Sequence, residues 1–472
     1  MNDFFKLKEN KTTLYTEIIA GITTFFTMAY IIFVNPAILS LNPGMPWFGI
    51  FAATILASAF GTIFMALFAN APFALAPGMG ANAFFTFVIC KQMGFSWQEA
   101  LFIVTICGLF IILITVTELR KMIVKAIPGF LKDSISGGIG LFIAYIGFKN
   151  ASFFKFLSES GNYCLLDNGG IIANSAIVPS LASFNNPHAL LGLAGLIIMS
   201  LLVIKKVKGS IFIGIVATIL IGVPMGIVDL SNVKLFDFHS LRSLKDVAFA
   251  AFSAEGVGSL FSDWNKIILT VVATLALLLS VTFDAIGTFI GTGRVSGIFD
   301  TEEEKSLANK KGISSKFEKA LFSDGIAAAV SGLFGTSSVT TYVESAAGIS
   351  AGGRTGLTSL VVAILFLLCL PFASLFSVVP PEATAPALII VGVLMMSSVM
   401  KINWSNLEES IPAFLTISIM AFAFNISYGI AAGFIFHCII KLAQGKIKEV
   451  RPILSGAALL FLINFIIIAI RG

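Results

Sequence analysis

Charged residues are scarce in this chain of 472 residues. Asp, Glu, Lys and Arg together make up 12% of the sequence, whereas an ordinary soluble domain carries about 25%. None of the four occurs between Ile18 and Cys90, and one bilayer crossing needs only about 20 uncharged residues. The composition therefore excludes a soluble multidomain enzyme and predicts an all-α polytopic membrane protein.

Cysteine, histidine and an excess of one charge are also lacking. The 5 cysteines form no CxxC pair or Cys/His cluster, so neither a disulfide framework nor a zinc site is predicted. With 30 Lys and Arg against 25 Asp and Glu, there is no basic patch of the kind that nucleic-acid binding needs. The three histidines are scattered, with no nucleophile arrangement beside them. We therefore expect no nucleic-acid partner, no metal, no cofactor and no enzymatic activity.

Apolar runs of spanning length fill most of the chain, and we predict about fourteen transmembrane segments from them. Residues 410–440 fit either one kinked helix or two short helices, which leaves the side of the C-terminus open. The runs lie at residues 18–39, 49–69, 72–90, 97–117, 133–148, 187–204, 209–228, 267–293, 325–334, 337–353, 355–377, 383–400, 410–425, 427–440 and 453–470.

Lysine and arginine clusters on alternate loops predict a cytoplasmic N-terminus in a multi-pass protein of the cytoplasmic membrane. The longer polar loops at 149–186 and 229–265 would then be external. Residues 301–319 are highly charged and fit either an amphipathic cytoplasmic helix or a disordered loop. The clusters are Lys6/Lys8/Lys11, Arg120/Lys121/Lys125/Lys132, Lys205/Lys206/Lys208 and Arg294/Lys305/Lys310/Lys311/Lys316/Lys319.

Two apolar segments are interrupted at matching positions in the two halves of the chain. Residues 70–85 read NAPFALAPGMGANAFF, and residues 336–348 read TSSVTTYVESAAG. Their Gly, Pro and β-branched residues predict a short extended stretch followed by a half-helix in each segment. Such a pair indicates the substrate site of a secondary transporter, although two flexible helix ends would also fit the pattern.

Two carboxylates interrupt otherwise uncharged segments. Asp284 and Glu344 each precede an arginine by ten residues, and ten helical residues rise about 15 Å, half of a roughly 30 Å hydrocarbon core. Asn82 falls at a similar depth, so we expect three polar side chains at one level. A carboxylate at that depth needs a polar cavity, a partner or a proton. Asp284 and Glu344 are therefore each a candidate substrate ligand or proton carrier.

Other polar residues are weaker candidates. Thr288 follows Asp284 by one helical turn and would either line the same cavity or bond back to the preceding turn. Five further carboxyl groups lie at segment ends, where a solvated or snorkelling side chain is expected. These are Glu17, Glu118, Asp133, Asp324 and Glu382.

Three motifs make the chain resemble the AzgA-like purine permeases, a branch of the nucleobase/cation symporters that also include xanthine and uracil permeases. The motifs are ALAPGMGANAFF at 74–85, FDAIGTFIGTG at 283–293 and TSSVTTYVESAAGISAGGRTGLTS at 336–359. The resemblance covers essentially the whole chain. It implies two inverted seven-segment repeats, core and gate domains, and short strands in the discontinuous third and tenth segments. The repeats would cover residues 1–228 and 266–472, with an external loop at 229–265 between them.

The resemblance further implies proton-coupled uptake of adenine, guanine or hypoxanthine by an elevator-like movement. It assigns nucleobase binding to Asp284 and Glu344, and it maps the third-segment motif onto Gly80 and Asn82. Val343 and Ser345 flank Glu344 as in the purine branch. Related folds suggest a homodimer in the lipid bilayer. Nothing in the resemblance ranks the three bases or says which carboxylate carries the proton.

The chemistry of a purine agrees with this mapping. A neutral purine offers N–H donors to a carboxylate and acceptors to an amide such as Asn82. Backbone N–H groups at 78–80 and 345–346 would add donors at the half-helix starts. Phe73, Phe283 and Tyr342 would either stack on the base or serve as plain packing. A xanthine/uracil permease and an anion carrier of the related sulfate-transporter fold remain as alternatives, and two carboxylates argue against an anion.

Overall fold

The structure, a computed structural model, is a mostly helical protein in which short strands occupy breaks and loops. It describes residues 4–117, 128–157, 163–165, 171–173, 178–231, 233–234, 236–260, 264–289, 298, 315–423, 426–446, 449–452, 454–459 and 461–462.

Helices and one short strand build the half of the described chain before residue 235, together with two small two-stranded antiparallel sheets in the 149–186 loop. The α-helices there are Leu14–Met28, Ile31–Leu39, Trp47–Phe64, Met79–Ala83, Trp97–Val116, Gly129–Asn150, Pro187–Ile204 and Ser210–Gly222, and π-helical turns cover Met65–Ala69 and Phe84–Gln92. The strands are Leu75–Pro77, Phe154–Leu157, Tyr163–Leu165, Ile171–Ala173 and Val178–Leu181.

The rest of the described chain follows the same plan, with one strand before a short helix. Its α-helices are His239–Ser243, Val257–Leu260, Trp264–Thr288, Lys316–Phe334, Ser345–Ser350, Gly356–Leu368, Ala373–Ser377, Pro381–Met396, Leu407–Phe422 and Ile426–Ala443. The strand is Val339–Thr341, and 3₁₀ turns cover Leu244–Asp246, Ala250–Phe252 and Ser397–Lys401.

Five helical stretches of the described chain are long and apolar enough to cross a membrane, judged by length and composition. Shorter apolar helices, including Gly356–Leu368, accompany them. The five stretches are Leu14–Leu39, Trp47–Ala69, Trp97–Val116, Pro187–Ile204 and Pro381–Lys401.

The structure interrupts one predicted segment and decides between the two alternatives left open for another. The run at 18–39 is interrupted at Ala29 and Tyr30, which separate two helices. Residues 410–440 form two helices that pack antiparallel, since Gly429 faces Met420 and Gly433 faces Thr416.

The helix predicted at 325–334 is longer, because it begins at Lys316. Ser315 accepts a hydrogen bond from the Glu318 backbone, and the Glu318 side chain caps Ser315 N in return. Residues 316–319, predicted as part of a separate cytoplasmic segment, therefore belong to this long helix. The preceding residues 301–314 lie outside the described ranges.

Two strands pair where the two broken segments meet. Leu75–Pro77 and Val339–Thr341 are antiparallel, with Leu75 opposite Thr341 and Pro77 opposite Val339. Each strand is fully buried and leads directly into a short helix. Pairing satisfies the backbone groups that a break in a membrane helix would otherwise leave exposed to lipid.

The long helices form two bundles. The first bundle contains residues 14–116, 264–288 and 316–368, and the second contains residues 129–222 and 381–443; contacts are dense inside each bundle and sparse between them. Glycine permits the closest helix approaches in both. In the second bundle, a Cβ on Gly392 would lie 2.5 Å from the Gly140 carbonyl oxygen.

Candidate functional site

A cavity of about 520 Å³ lies between the two bundles, within the size range of pockets for small molecules. The first bundle contributes Thr27, Tyr30, Gly78, Met79, Gly80, Asp284, Thr341, Tyr342, Val343, Glu344, Ala346 and Ala347 to its wall. The second bundle contributes Ser136, Val203, Ser210, Ile211, Val391, Leu394, Met395, Ser397, Ser398 and Lys401.

Asp284 reaches the cavity from the last turn of the helix Trp264–Thr288. The start of the first half-helix lies close to it, because a Cβ on Gly78 would come 3.9 Å from Asp284 Oδ2. The same Cβ would collide with Thr340 Cγ2 at 2.8 Å. Glycine at position 78 therefore lets the strand pair and the carboxylate approach each other.

Glu344 reaches the cavity from the residue before the half-helix Ser345–Ser350. Tyr30 Oη donates a hydrogen bond of 2.6 Å to Glu344 Oε1, and Thr27 Oγ1 donates one of 3.4 Å to the Glu344 carbonyl oxygen. The sequence pattern gives little sign of Tyr30 or Thr27, since both lie in one continuous apolar run. The only signal is a tyrosine in a stretch without charges.

Gly80 and Val343 line the cavity as expected, but Asn82 lies behind its wall. Asn82 is completely buried, and its Oδ1 accepts a hydrogen bond from Ser337 Oγ. Asn35 Nδ2 donates to Thr336 Oγ1 at 2.8 Å in the same buried layer. Asn82 thus connects the two broken segments inside the first bundle, and it does not share the cavity wall with the two carboxylates.

Three other predicted site residues also pack behind the wall. Ser345 Oγ accepts a hydrogen bond of 3.0 Å from Ala74 N, which ties the half-helix to the opposite broken segment. Thr288 is buried one turn beyond Asp284. Phe73 is fully buried and meets Phe289 edge to face, with 5.0 Å between ring centroids. Of these residues, none contributes to the wall of the described cavity.

The other predicted contacts are two aromatic side chains and the backbone N–H groups at the starts of the half-helices, and only some of these residues line the cavity. Tyr342 lines the cavity, whereas the side chain of Phe283 lies outside the described residues. The backbone N–H groups of Gly78, Ser345 and Ala346 donate to carbonyl oxygens of Ser338, Tyr342 and Val343 at 2.9–3.1 Å. Contrary to expectation, these donors are already used within the protein.

Asp324 is buried, which contradicts its predicted place at a solvated segment end. It lies 1% exposed in the middle of the helix Lys316–Phe334. Its Oδ1 accepts hydrogen bonds from Thr341 N at 2.7 Å, Thr341 Oγ1 at 2.8 Å and Thr340 Oγ1 at 3.2 Å. Asp324 therefore holds the strand that leads to Glu344. Its helix begins nine residues earlier than predicted, counting from 325 back to 316, and this explains the error.

Glu17 is also buried rather than solvated. Its carboxylate accepts hydrogen bonds from Arg354 N at 2.9 Å, Thr358 N at 3.2 Å and Thr358 Oγ1 at 2.5 Å. These donors surround the start of the helix Gly356–Leu368, where an acidic group satisfies free N–H groups and the helix dipole. Glu17 thereby ties the first helix to the end of the second broken segment.

The second bundle faces the carboxylates with hydroxyl groups and one cation. Ser397 Oγ and Ser398 Oγ donate to carbonyl oxygens of the preceding turn at 2.8 Å and 2.9 Å. Lys401 is the one cation on the wall of the described cavity. Sequence alone does not single out these residues, because serines in apolar helices commonly bond to their own backbone.

The arrangement suits a polar, uncharged ligand with several N–H groups. Two carboxylates can accept such groups, the hydroxyls can donate or accept, and the apolar remainder of the wall can cover a flat ring. Within the described ranges, no group of His, Cys, Asp and Glu could hold a metal ion.

Comparison with protein families and individual sequences gives near full-length matches. Residues 15–432 match the Xan_ur_permease profile, described as "Permease family". Adenine permease AdeP of Escherichia coli (strain K12) is 38% identical over 465 residues, covering 98% of this chain and 95% of that protein. Guanine/hypoxanthine permease PbuO of Bacillus subtilis (strain 168) is 40% identical over 468 residues, covering 98% and 100%.

Solved structures share the fold at low sequence identity. The transmembrane domain of the cyanobacterium bicarbonate transporter BicA superposes with a TM-score of 0.59 at 17% identity, covering 89% of this chain and 97% of that one. SLC26A9 gives a TM-score of 0.57 at 11% identity, covering 91% and 65%. The described architecture is therefore a known membrane-transporter fold.

Proposed function

The chain belongs to the Xan_ur_permease family of nucleobase permeases, and from this premise we propose that it carries purine nucleobases across the cytoplasmic membrane. Like its relatives, it is a permease and not an enzyme. The names of those relatives include adenine, guanine and hypoxanthine, and these three bases are the substrates we propose.

The observation that carries the proposal is the pair of carboxylates on one cavity wall. Asp284 and Glu344 accept N–H groups of the base, while Gly80 and Val343 line the same cavity. Asn82, Ser345, Thr288 and Phe73 act indirectly, since they support this wall from behind.

We propose that a proton drives uptake and that Asp284 or Glu344 carries it; no cofactor takes part. One proton that moves down 100 mV supplies about 2.3 kcal/mol, and each tenfold of accumulation costs about 1.4 kcal/mol. A single coupled proton therefore supports a useful gradient. The position of both carboxyl groups on the wall of a cavity between transmembrane bundles favours this proposal, because charge on an intramembrane carboxyl group is costly without a partner.

The movement that we propose is elevator-like. The first bundle is the core, which holds both carboxylates, and the second is the gate. Sparse contacts between them favour relative sliding. The proposal includes fourteen segments in two inverted repeats at 1–228 and 266–472, an external loop at 229–265, a cytoplasmic N-terminus and a homodimer.

Two alternatives differ in substrate. A xanthine or uracil permease would use the same cavity, and the fold likeness to a bicarbonate transporter would allow an anion carrier. Likeness at 17% identity concerns the fold alone. Two carboxylates and one cation on the described cavity wall disfavour an anion.

Uptake of labelled hypoxanthine, guanine and adenine in cells that lack their own purine permeases tests the proposal. Unlabelled uracil, xanthine and sulfate serve as competitors, and a protonophore tests coupling. We expect purine accumulation that collapses with the protonophore. No purine uptake by protein present in the membrane, or competition by sulfate, would refute the assignment.

Variants test the two carboxylates separately. Glu344→Gln should abolish accumulation, and Asp284→Asn should weaken or abolish uptake, while membrane abundance stays unchanged. Glu9→Gln and Asp246→Asn make the same chemical changes at exposed positions and serve as controls. Near-normal transport by both cavity variants would overturn the site assignment.

A further inference from the structure

Tyr30 is held firmly at the edge of the cavity. It lies at the interruption between the helices Leu14–Met28 and Ile31–Leu39, and the residue is 1% exposed. Its ring centroid lies 6.4 Å from that of Tyr342, whose Oη donates to the Pro77 carbonyl oxygen at 2.5 Å. Tyr342 and Glu344 of the second broken segment thus contact the ring and the hydroxyl of Tyr30, and Tyr342 is itself tied to the first broken segment through Pro77.

The hydrogen bond between Tyr30 and Glu344 engages only one carboxylate oxygen. Tyr30 Oη lies 2.6 Å from Oε1, a short distance typical of a hydroxyl donor to a carboxylate. Among the hydrogen bonds of the described residues, Oε2 has no side-chain donor. A ligand N–H therefore meets an Oε2 without a side-chain donor, whereas at Oε1 it would share the oxygen with a donor that is already in position.

Guanine and hypoxanthine differ on the edge that a carboxylate would bind. Both carry an N1–H donor, and guanine adds a 2-amino group next to it. A carboxylate with two open oxygens can accept both donors of guanine side by side. A carboxylate oxygen that already accepts from a tyrosine keeps a second lone pair, but its charge is shared between two donors, so it binds the amino group of guanine less strongly. The two bases then bind more nearly alike.

We propose that Tyr30 is a positioning residue that determines specificity: by engaging Glu344 Oε1, it limits the preference of the site for guanine over hypoxanthine. The inference rests on the proposed function, because it requires a purine at Glu344. Without the tyrosine hydroxyl, Oε1 is satisfied by the guanine amino group but is left unpaired by hypoxanthine. Sites with an unpaired buried polar group reject the ligand that lacks the matching group.

The substitution Tyr30→Phe removes this hydroxyl and keeps the ring. Competition by unlabelled guanine and by unlabelled hypoxanthine against labelled hypoxanthine yields two inhibition constants, whose ratio does not depend on the amount of transporter. We expect this ratio to shift toward guanine by about tenfold, the effect of one hydrogen bond to a carboxylate. The KM for hypoxanthine should rise while the maximal rate per transporter changes less.

Tyr15→Phe is the matched control, because it makes the same chemical change at a side chain that is 75% exposed. Its ratio should equal that of the wild type. If Tyr30→Phe binds bases without transporting them, binding of labelled guanine and hypoxanthine to the purified protein provides the same ratio.

Two results would overturn the inference while leaving the proposed function intact. The ratio could stay unchanged, with or without an equal weakening of both constants, or Tyr30→Phe could fail to reach the membrane while Tyr15→Phe does so. Equal weakening, or failure to reach the membrane, would indicate a merely structural role. Failure of the wild type to take up any purine would instead refute the proposed function.

Discussion

Asp324 provides a sharp test of how the second broken segment is held. The substitution Asp324→Asn keeps the size of the side chain. In the wild type, Asp324 Oδ1 accepts hydrogen bonds from Thr341 N, Thr341 Oγ1 and Thr340 Oγ1 at 2.7–3.2 Å. Thr341 lines the cavity, and Glu344 follows three residues later. Loosening this contact should therefore disturb both the fold and the site.

The expected magnitude follows from the three hydrogen bonds. A hydrogen bond to a charged group contributes about 1.5–3 kcal/mol, and an asparagine oxygen still accepts one of the three as a weaker, neutral acceptor. We expect the free energy of unfolding to fall by about 3 kcal/mol in Asp324→Asn and by about 1.5 kcal/mol in Thr341→Val. Because Asp324 and Thr341 share a contact, the free energy of unfolding of the double variant should fall by about 1 kcal/mol less than the sum of the two single losses.

Unfolding of the purified protein in mixed micelles with increasing denaturing detergent measures these differences. Asp246→Asn, an exposed position, is the control and should behave like the wild type. The KM for hypoxanthine should rise in Asp324→Asn. Strictly additive losses, or an Asp324→Asn variant as stable as Asp246→Asn, would refute the reasoning.

Further predictions concern the supports of the cavity wall. Glu17→Gln should lower the free energy of unfolding by about 1–2 kcal/mol, because the cap of the helix Gly356–Leu368 loses its charge; an effect no larger than that of exposed Glu9→Gln would contradict this. Gly108→Ala should cost about 1–3 kcal/mol or more, since its Cβ would overlap the Ala329 backbone, whereas Gly456→Ala faces open space; equal melting temperatures would disprove the close packing. Asn82→Ala should alter affinity or base preference through Ser337 without lowering surface expression, and an unchanged competition profile would show that Asn82 does not support the cavity wall.

The two carboxylates of the cavity and the two broken segments could be predicted from single residues that differ in charge or type from their apolar surroundings. Asp284 and Glu344 are conspicuous because a charge in an apolar segment is costly, and the broken segments are conspicuous because Gly and Pro interrupt helices. Tyr30, Ser136 and Lys401 carry no such signal. Whether a tyrosine or serine faces a cavity, lipid or another helix depends on which helices pack beside it, and no local pattern records that.

The sequence by itself determined the membrane class, the family and the two residues that interrupt the apolar runs, because these depend on composition and local motifs. Only the tertiary structure decided that Asp324 and Glu17 are buried supports, and that Asn82 lies behind the wall. Their partners lie 17, 341 and 255 residues away along the chain. Contacts over such distances arise when the two strands pair and the bundle closes, and this also sets which carboxylate oxygen of Glu344 is engaged.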